Sequence, residues 1–429
     1  MESRESYQLL KKKLQSELLK VLETGGEWSD EDILGEIDEL IVSAGRDVYL
    51  SGYRKLMMRQ ELFNSVRRLD LLQELVDDKE ITEIMVNGAG NIFYEKYGHI
   101  YRWEKSFESI EKLEDVIQQI VAGANRQVNE ASPIVDARLA DGSRVNVVLK
   151  PVALNGPILT IRKFPEEPMS MERLIRQGTL TEEAASFLEK IVRAKYNIFI
   201  SGGTGTGKTT MLNALMDYVP KDERVITIED SAELQIHNIK NLVKLEARNA
   251  TADGEHQVSI RDLIKSAMRM RPDRVIVGEV RGAECVDMVQ AMSSGHDGSI
   301  STGHSGSPEE MLSRLETMVL MGTDIPLVAI RKQLTSAIDI IIQLERLRDK
   351  SRRVTEITEV VGYENGEIRL NPLFVFKETT EKEDKNFVRE EACYMEGIPS
   401  VSGRLVLSGN ALVHRKKLEA AAVQLEGGL

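Results

Sequence analysis

Residues 197–210 read NIFISGGTGTGKTT. An apolar strand runs into Gly202-Gly203-Thr204-Gly205-Thr206-Gly207-Lys208-Thr209, which fits GxxxxGK[ST] at every position. The residue types suit a phosphate cradle. Glycines let successive backbone N–H groups curl around phosphate oxygens, where a Cβ would obstruct them. The helix that follows, carrying Leu212, Leu215 and Met216, adds the field of its N-terminus to the same anion. Lys208 brings a mobile charge to the β- and γ-phosphates, and the Thr209 hydroxyl is placed to coordinate Mg²⁺. A strand before the loop and a helix after it are the context this motif needs. The stretch predicts a nucleoside-triphosphate site, with Thr210 closing the binding loop.

Working outward, residues 173–429 alternate helix and strand, which predicts a parallel sheet covered by helices. RVITIED, NLVKLEA, DRVIVGEV and GSISTGH are its further apolar runs. SPEEMLSRLETMVLMG carries Ser307 as cap, Pro308 at the first position, Glu310 reaching back and Gly322 at the end. Asn365-Gly366 predicts a hairpin between RVTEITEVVGY and EIRLNPLFVF. Residues 377–391 read as a charged, solvated loop in a charged C-terminal tail region. Upstream, residues 61–164 predict a smaller antiparallel α+β domain. A meander (ITEIMVN, IFYEK, HIYRW) is followed by a helix over 110–125, an Asp141-Gly142 hairpin and the strand in GPILTIRKF. Pro165 and Pro168 predict a linker over 165–172. Residues 1–60 predict helices. Leu10, Leu14, Leu18 and Leu22 share one face, and Ser29 caps a second helix carrying Ile33, Ile37, Leu40 and Ile41. A third helix is expected over 61–76.

Hydrolysis requires groups beyond the cradle, to orient water and to neutralise the spreading charge. Glu229-Asp230 follows the strand VITI, so Glu229 is placed to polarise the attacking water; a capping or surface acid is the plain alternative. Arg274-Val275-Ile276-Val277-Gly278-Glu279 reads as a Walker B segment, with Gly278 where many P-loop enzymes carry a metal-binding Asp. Glu279 is then expected to serve Mg²⁺ through water or to share the base role. Arg281 reads as a structural partner of a nearby carboxylate. His304, after the strand SIST and between glycine and serine, is either a structural histidine or a sensor aimed at the γ-phosphate. His237, His256 and His414 have no such setting.

Composition narrows the classes. The chain has 429 residues, with 56 basic and 69 acidic side chains for a formal net charge of −13, and 41% of positions are hydrophobic. Real cores are expected, and wholesale disorder is excluded. No apolar run approaches the ~18–20 residues that cross a bilayer, and the N-terminus has no signal-like segment, so a cytoplasmic location is expected unless a partner brings the chain to a membrane. Cys285 and Cys393 are too few for a disulfide framework or zinc site. The acidic balance, with aromatics at only 5% of residues, argues against stable nucleic-acid binding.

The P-loop, VITIEDSAEL, LIKSAMRMRPDRVIVGEVRGAE and GHDGSISTGHSGS resemble, in order, the Walker A, Asp box, Walker B and His box of type II/IV secretion ATPases. ITEIMVNGAGNIFYEKYG, DARLADGSRVNVV and GPILTIRKF resemble the N-terminal domain of the CpaF-type branch, associated with tight-adherence (Flp) pili. The resemblance implies an α/β fold with a RecA-like P-loop ATPase domain behind the α+β domain. It also implies a homohexameric ring on a polytopic inner-membrane platform, with ATP and Mg²⁺ as ligands and movement between lobes extruding or retracting pilin or supporting export. Glu229, Glu279 and His304 match the three box residues, and Lys208 the P-loop lysine. Arg138, Arg144 and Arg162 lie where the family places arginines toward nucleotide; an arginine pairing with a neighbouring acid is the alternative for each. The family's tetracysteine module is missing, so no structural metal is expected. A RecA-like nucleic-acid translocase and a nucleotide-gated scaffold that does not hydrolyse are the competing functions.

Overall fold

The computed structural model describes residues 4–23, 28–45, 48–164, 169–248, 257–378 and 401–425. It divides into two units, Met1–Glu166 and Glu167–Leu429. The two prolines of the expected linker, His256, Cys393 and most of the expected charged loop over 377–391 lie outside the described residues.

The first unit begins with α1 (Arg4–Glu23), α2 (Asp30–Ala44) and α3 (Gly52–Arg67). Leu14 and Leu18 of α1 bury against Ile33, Ile37 and Ile41 of α2 and Met58 and Leu62 of α3, a core of their own. Ser29 caps α2 through a reciprocal box with Asp32. The helix expected over 61–76 is corrected. Ser51 starts α3 earlier, and the chain breaks at Arg68, which is extended, and at Asp70, whose φ of +51° no α-helix accommodates. A 3₁₀ turn and α4 (Gln73–Asp77) follow. The break re-aims the chain: Leu62 packs in the helical core, whereas Leu72 and Leu75 pack in the sheet core.

The sheet of this unit is built from β1 (Ile81–Asn87), β2 (Ile92–Lys96), β3 (His99–Arg102), β4 (Ile134–Arg138), β5 (Arg144–Val148) and β6 (Ile158–Arg162). Its order is β3-β2-β1-β6-β5-β4, antiparallel throughout. Helix α5 (Ile110–Gly123) contributes Leu113, Val116, Ile117, Ile120 and Val121 to the same core as Ile84, Val86, Val145 and Ile161.

The second unit opens with α6 (Met171–Arg176) and α7 (Glu182–Arg193). The chain continues through β7 (Ile198–Gly202), α8 (Lys208–Met216), β8 (Arg224–Glu229), β9 (Asn241–Glu246), α9 (Ile260–Ala267), β10 (Arg274–Val277), α10 (Cys285–Ser293), β11 (Ile300–Gly303), α11 (Pro308–Gly322) and α12 (Leu327–Ala337). It ends with β12 (Ile340–Arg346), β13 (Arg352–Glu364), β14 (Glu367–Glu378), β15 (Gly403–Leu407) and α13 (Lys416–Ala420). Among the described residues these strands make one sheet, β15-β14-β13-β12-β7-β11-β10-β8-β9. It is parallel from β12 to β9 and antiparallel beyond.

β7 lies inside the parallel part, and every residue in it is buried. Ile198 and Ile200 face one core and Phe199 the other, the alternation of a strand covered on both sides. Two local readings are corrected. Glu310 accepts from Gly306 N (3.1 Å), one residue before the Ser307 cap it was expected to reach. The C-terminal region is also more than a charged tail: β15 extends the sheet through β14.

Candidate active site

The loop between β7 and α8 turns through Gly205 (φ +71°) and Gly207 (φ +96°), conformations in which a side chain is strained. Gly202 lies so close to β12 that a Cβ on it would stand 2.5 Å from Leu344 O and 2.6 Å from Thr206 Oγ1. Thr206 Oγ1 in turn donates to Gly203 O (2.9 Å), fixing the curl. Gly207 occupies the N-cap of α8 and gives no side-chain cap, unlike Thr181 of α7, so no capping side chain occupies the first amides of α8. Gly203, Thr204 and Gly205 are exposed along the rim, with Thr209 and Thr210 half-buried in the first turn of α8.

Lys208 is buried, and its ammonium folds back over the loop, donating to Gly202 O (3.0 Å) and Gly203 O (2.9 Å). It also stands 3.3 Å from His304 Nδ1. His304 follows β11, and its Nε2 lies 2.6 Å from Glu279 Oε1, just past β10. Burial first, and then the Lys208 ammonium, hold the imidazole below its ordinary value, against the opposing pull of Glu279. A neutral ring with Nδ1 unprotonated accepts from Lys208, whereas Glu279 Oε1, although close to Nε2, is buried without a hydrogen-bond partner among the described residues. The other oxygen of Glu279 accepts from Arg281 Nη2 (2.6 Å) and Nε (2.9 Å), and Arg281 Nη1 lies 3.8 Å from Asp230. Arg281 thus sits where its structural reading places it, beside a carboxylate.

Glu229 ends β8 and is buried. Its Oε1 accepts from Glu233 N (2.7 Å) and Leu234 N (3.0 Å), which ties the following loop to the strand tip. This also explains the glycine in the Walker B segment: a Cβ on Gly278 would lie 2.9 Å from Glu229 Cγ. An aspartate there would require the Glu229 side chain to shift. Thr302 Oγ1 donates to Gly278 O (2.7 Å), locking the tips of β10 and β11 together.

The strand tips therefore gather Lys208, His304 and Glu279 into one chain of contacts, with Glu229 packed against the Gly278 backbone. These are the carboxyl ends of parallel strands, where open α/β sheets collect ligands. The residues suit a nucleoside triphosphate with Mg²⁺. The amides of a glycine-lined loop and the Lys208 ammonium are donors of the kind phosphate oxygens accept, and the oxygens of Thr209 and Glu279 are hard donors. Among the described residues no group of three or more His, Cys, Asp and Glu side chains could hold a metal ion.

The three arginines stand in the first unit as cross-strand neighbours. Arg138 of β4 is opposite Arg144 of β5, which is opposite Arg162 of β6. Glu83 of β1 is opposite Arg162 on the other side. Like charges aligned across strands repel, so this row is costly unless acids or a ligand balance it. Sequence reading missed Arg352, whose Nε donates to Gly205 O of the P-loop (2.9 Å). Its nearest sequence signal is the Asp349-Lys350-Ser351 turn after an apolar strand, which indicates a hairpin but not the strand beside it.

A model of the family described as Type II/IV secretion system protein matches residues 67–425. Conjugal transfer protein TrbB of Rhizobium radiobacter is 32% identical over 299 residues, covering 69% of this chain and 88% of that protein. Type IV secretion system protein PtlH of Bordetella pertussis is 32% identical over 315 residues, 67% of this chain and 93% of that protein. Among solved structures, the pilus retraction motor PilT with bound ADP superposes with a TM-score of 0.51 at 21% identity, over 71% of this chain and 81% of that one. The Legionella pneumophila ATPase DotB gives 0.50 at 22%, over 69% and 80%. At such identity the structures speak for the fold, which is α/β with an N-terminal domain ahead of a RecA-like P-loop domain. The sequence matches go further: the chain belongs to the type II/IV secretion system protein family.

Proposed function

We propose that the protein is an ATP hydrolase, working as a homohexameric ring, that couples turnover to pilus assembly or protein secretion at a polytopic inner-membrane platform. The observation that carries this reading is the contact chain from Lys208 through His304 to Glu279, which joins the P-loop to two other strand tips.

In this reading the amides of Gly202 to Gly207 and the first turn of α8, with the Thr209 and Thr210 hydroxyls, wrap the phosphates, and Lys208 exchanges its loop carbonyls for phosphate oxygens. Glu229 polarises the attacking water, with its carboxylate orientation fixed by the Glu233 and Leu234 amides. His304 reports the γ-phosphate, because a phosphate that draws Lys208 away removes its Nδ1 partner. Mg²⁺, when bound through the Thr209 hydroxyl and through water to Glu279, neutralises phosphate charge. Arg138, Arg144 and Arg162 are the candidate arginine fingers, supported by their alignment across three strands.

Within the family we place the chain in the CpaF-type branch, on the resemblance of residues 81–98, 136–148 and 156–164. Among the described residues no helix is long and apolar enough to cross a membrane, so membrane association is assigned to partners. The acidic helix α2, with Asp30, Glu31, Asp32, Glu36, Asp38 and Glu39 and no basic residue, suits a basic platform loop.

The test is phosphate release with Mg-ATP, alone and with membranes carrying or lacking a candidate platform protein. The reading predicts turnover that rises on association with the platform and is lost in Lys208→Ala. It is contradicted by turnover unchanged in that variant, or by stimulation with single-stranded DNA instead of the platform.

A further inference from the structure

The groups that bear on cleavage approach the P-loop from one side only. His304 follows β11, Glu279 follows β10 and Glu229 ends β8, and all three strands lie to one side of β7 in the sheet. Lys208 leans the same way, toward His304. A nucleotide with its γ-phosphate on that side would direct its nucleoside end toward the other flank of β7, where β12 and the hairpin to β13 lie.

Two exposed arginines stand on that hairpin as cross-strand neighbours, Arg346 and Arg352. Arg352 reaches the rim of the loop, with its Nε 2.9 Å from Gly205 O. Its Cδ would lie 3.7 Å from a Cβ on Gly207, a position that Thr210 Cβ approaches to 4.0 Å. The side chain thus lies beside the loop and the start of α8.

The hairpin that presents it is fixed. Leu347 N donates to Ser351 O (2.8 Å) and Lys350 N to Leu347 O (2.9 Å). Asp349 accepts from Ser351 N (3.0 Å), from Ser351 Oγ (2.6 Å) and from Val401 N (2.9 Å). Leu344 O, pressed against Gly202, keeps β12 and the loop in one register.

We propose that Arg352 is a nucleotide-binding residue that takes the α-phosphate, the one bonded to the nucleoside. A guanidinium is always charged and forms charge-assisted hydrogen bonds to phosphate, so exchanging Gly205 O for a phosphate oxygen strengthens its contact. The inference rests on the nucleotide reading of the P-loop and adds a contact on the nucleoside side that the P-loop motif does not contain.

The test is equilibrium binding by titration calorimetry on the full chain, with Mg-ATP, Mg-ADP and inorganic pyrophosphate, which has no nucleoside-linked phosphate. Arg352→Gln is expected to weaken ATP and ADP by about tenfold each while leaving pyrophosphate within twofold. Arg352→Lys, which keeps the charge, is expected to fall between the two. Equal loss for pyrophosphate overturns the proposal, because Arg352 then acts by propping the loop; so does unchanged binding of ATP and ADP. Failure of the unaltered protein to bind any of the three, by contrast, overturns the nucleotide reading itself and the proposal with it.

Discussion

Lys208 Nζ stands 3.3 Å from His304 Nδ1, so the P-loop cation and an imidazole from another strand share one contact that only an unprotonated Nδ1 accepts. The consequence is a pH dependence of known sign. The folded state holds His304 below its ordinary value of about 6.5 and so prefers the neutral ring. Below pH 6.5 the unfolded chain takes up a proton that the folded ring resists, so stability falls with acid until the folded ring itself titrates. We expect the imidazole to titrate below 6.5 by NMR, and His304→Gln to lose less thermal stability than the unaltered protein between pH 7 and 5.5. A His304 midpoint above 6.5 contradicts the assignment.

Gly202 and Gly203 are adjacent, yet alanine should act differently at each. At Gly202 the new Cβ meets a backbone carbonyl of β12 at 2.5 Å and Thr206 Oγ1 at 2.6 Å, and the carbonyl has nowhere to move within the sheet. At Gly203 the nearest neighbour is Thr206 Cγ2 at 3.7 Å, an ordinary contact. Gly202→Ala should cost about 1–3 kcal/mol of stability and at least tenfold in ATP affinity, whereas Gly203→Ala should stay within about 0.5 kcal/mol. Thermal melts and ATP titrations check both.

Glu359 on β13 is buried, and its carboxylate accepts from Val413 N (2.9 Å), His414 N (2.7 Å) and Asn371 Nδ2 (3.0 Å). One side chain thereby fastens the segment between β15 and α13 to the sheet. Glu359→Ala leaves these donors without their acceptor, at about 1–3 kcal/mol for each group that stays buried. Limited trypsin digestion should then cut after Arg404 and Arg415 at least several-fold faster, with Glu359→Gln between. Unchanged cleavage means the segment is held by other contacts.

Much of the second unit was legible because its signals are local. Gly202 to Thr209 announce their own backbone, apolar runs of four to six residues mark the parallel strands, and Ser307-Pro308 marks a helix start. The break at Asp70 was not legible, since apolar spacing continues across it and only two separate cores require the turn. The candidate site was partly legible. Lys208, His304 and Glu279 were named from motif and strand ends, but their contact chain depends on β11 lying between β7 and β10, a matter of sheet order. The glycine at 278 reads as an oddity until Glu229 is seen packed against it, and Arg352 is 147 residues from the carbonyl it touches. Long-range register places such residues, and no local pattern encodes it.

In the proposed hydrolysis a triphosphate in this cradle is cleaved with the help of carboxylates from neighbouring strand tips. Glu229→Gln tests it most directly, because glutamine keeps an oxygen to accept from the Glu233 and Leu234 amides and removes only the charge. Phosphate release and ATP binding should be measured on the same preparation. Water activation by Glu229 predicts ATP affinity within threefold of the unaltered protein and turnover lower by at least ~100-fold, about 2.7 kcal/mol in the barrier. Turnover equal to that of the unaltered protein, with ATP bound equally well, would contradict it.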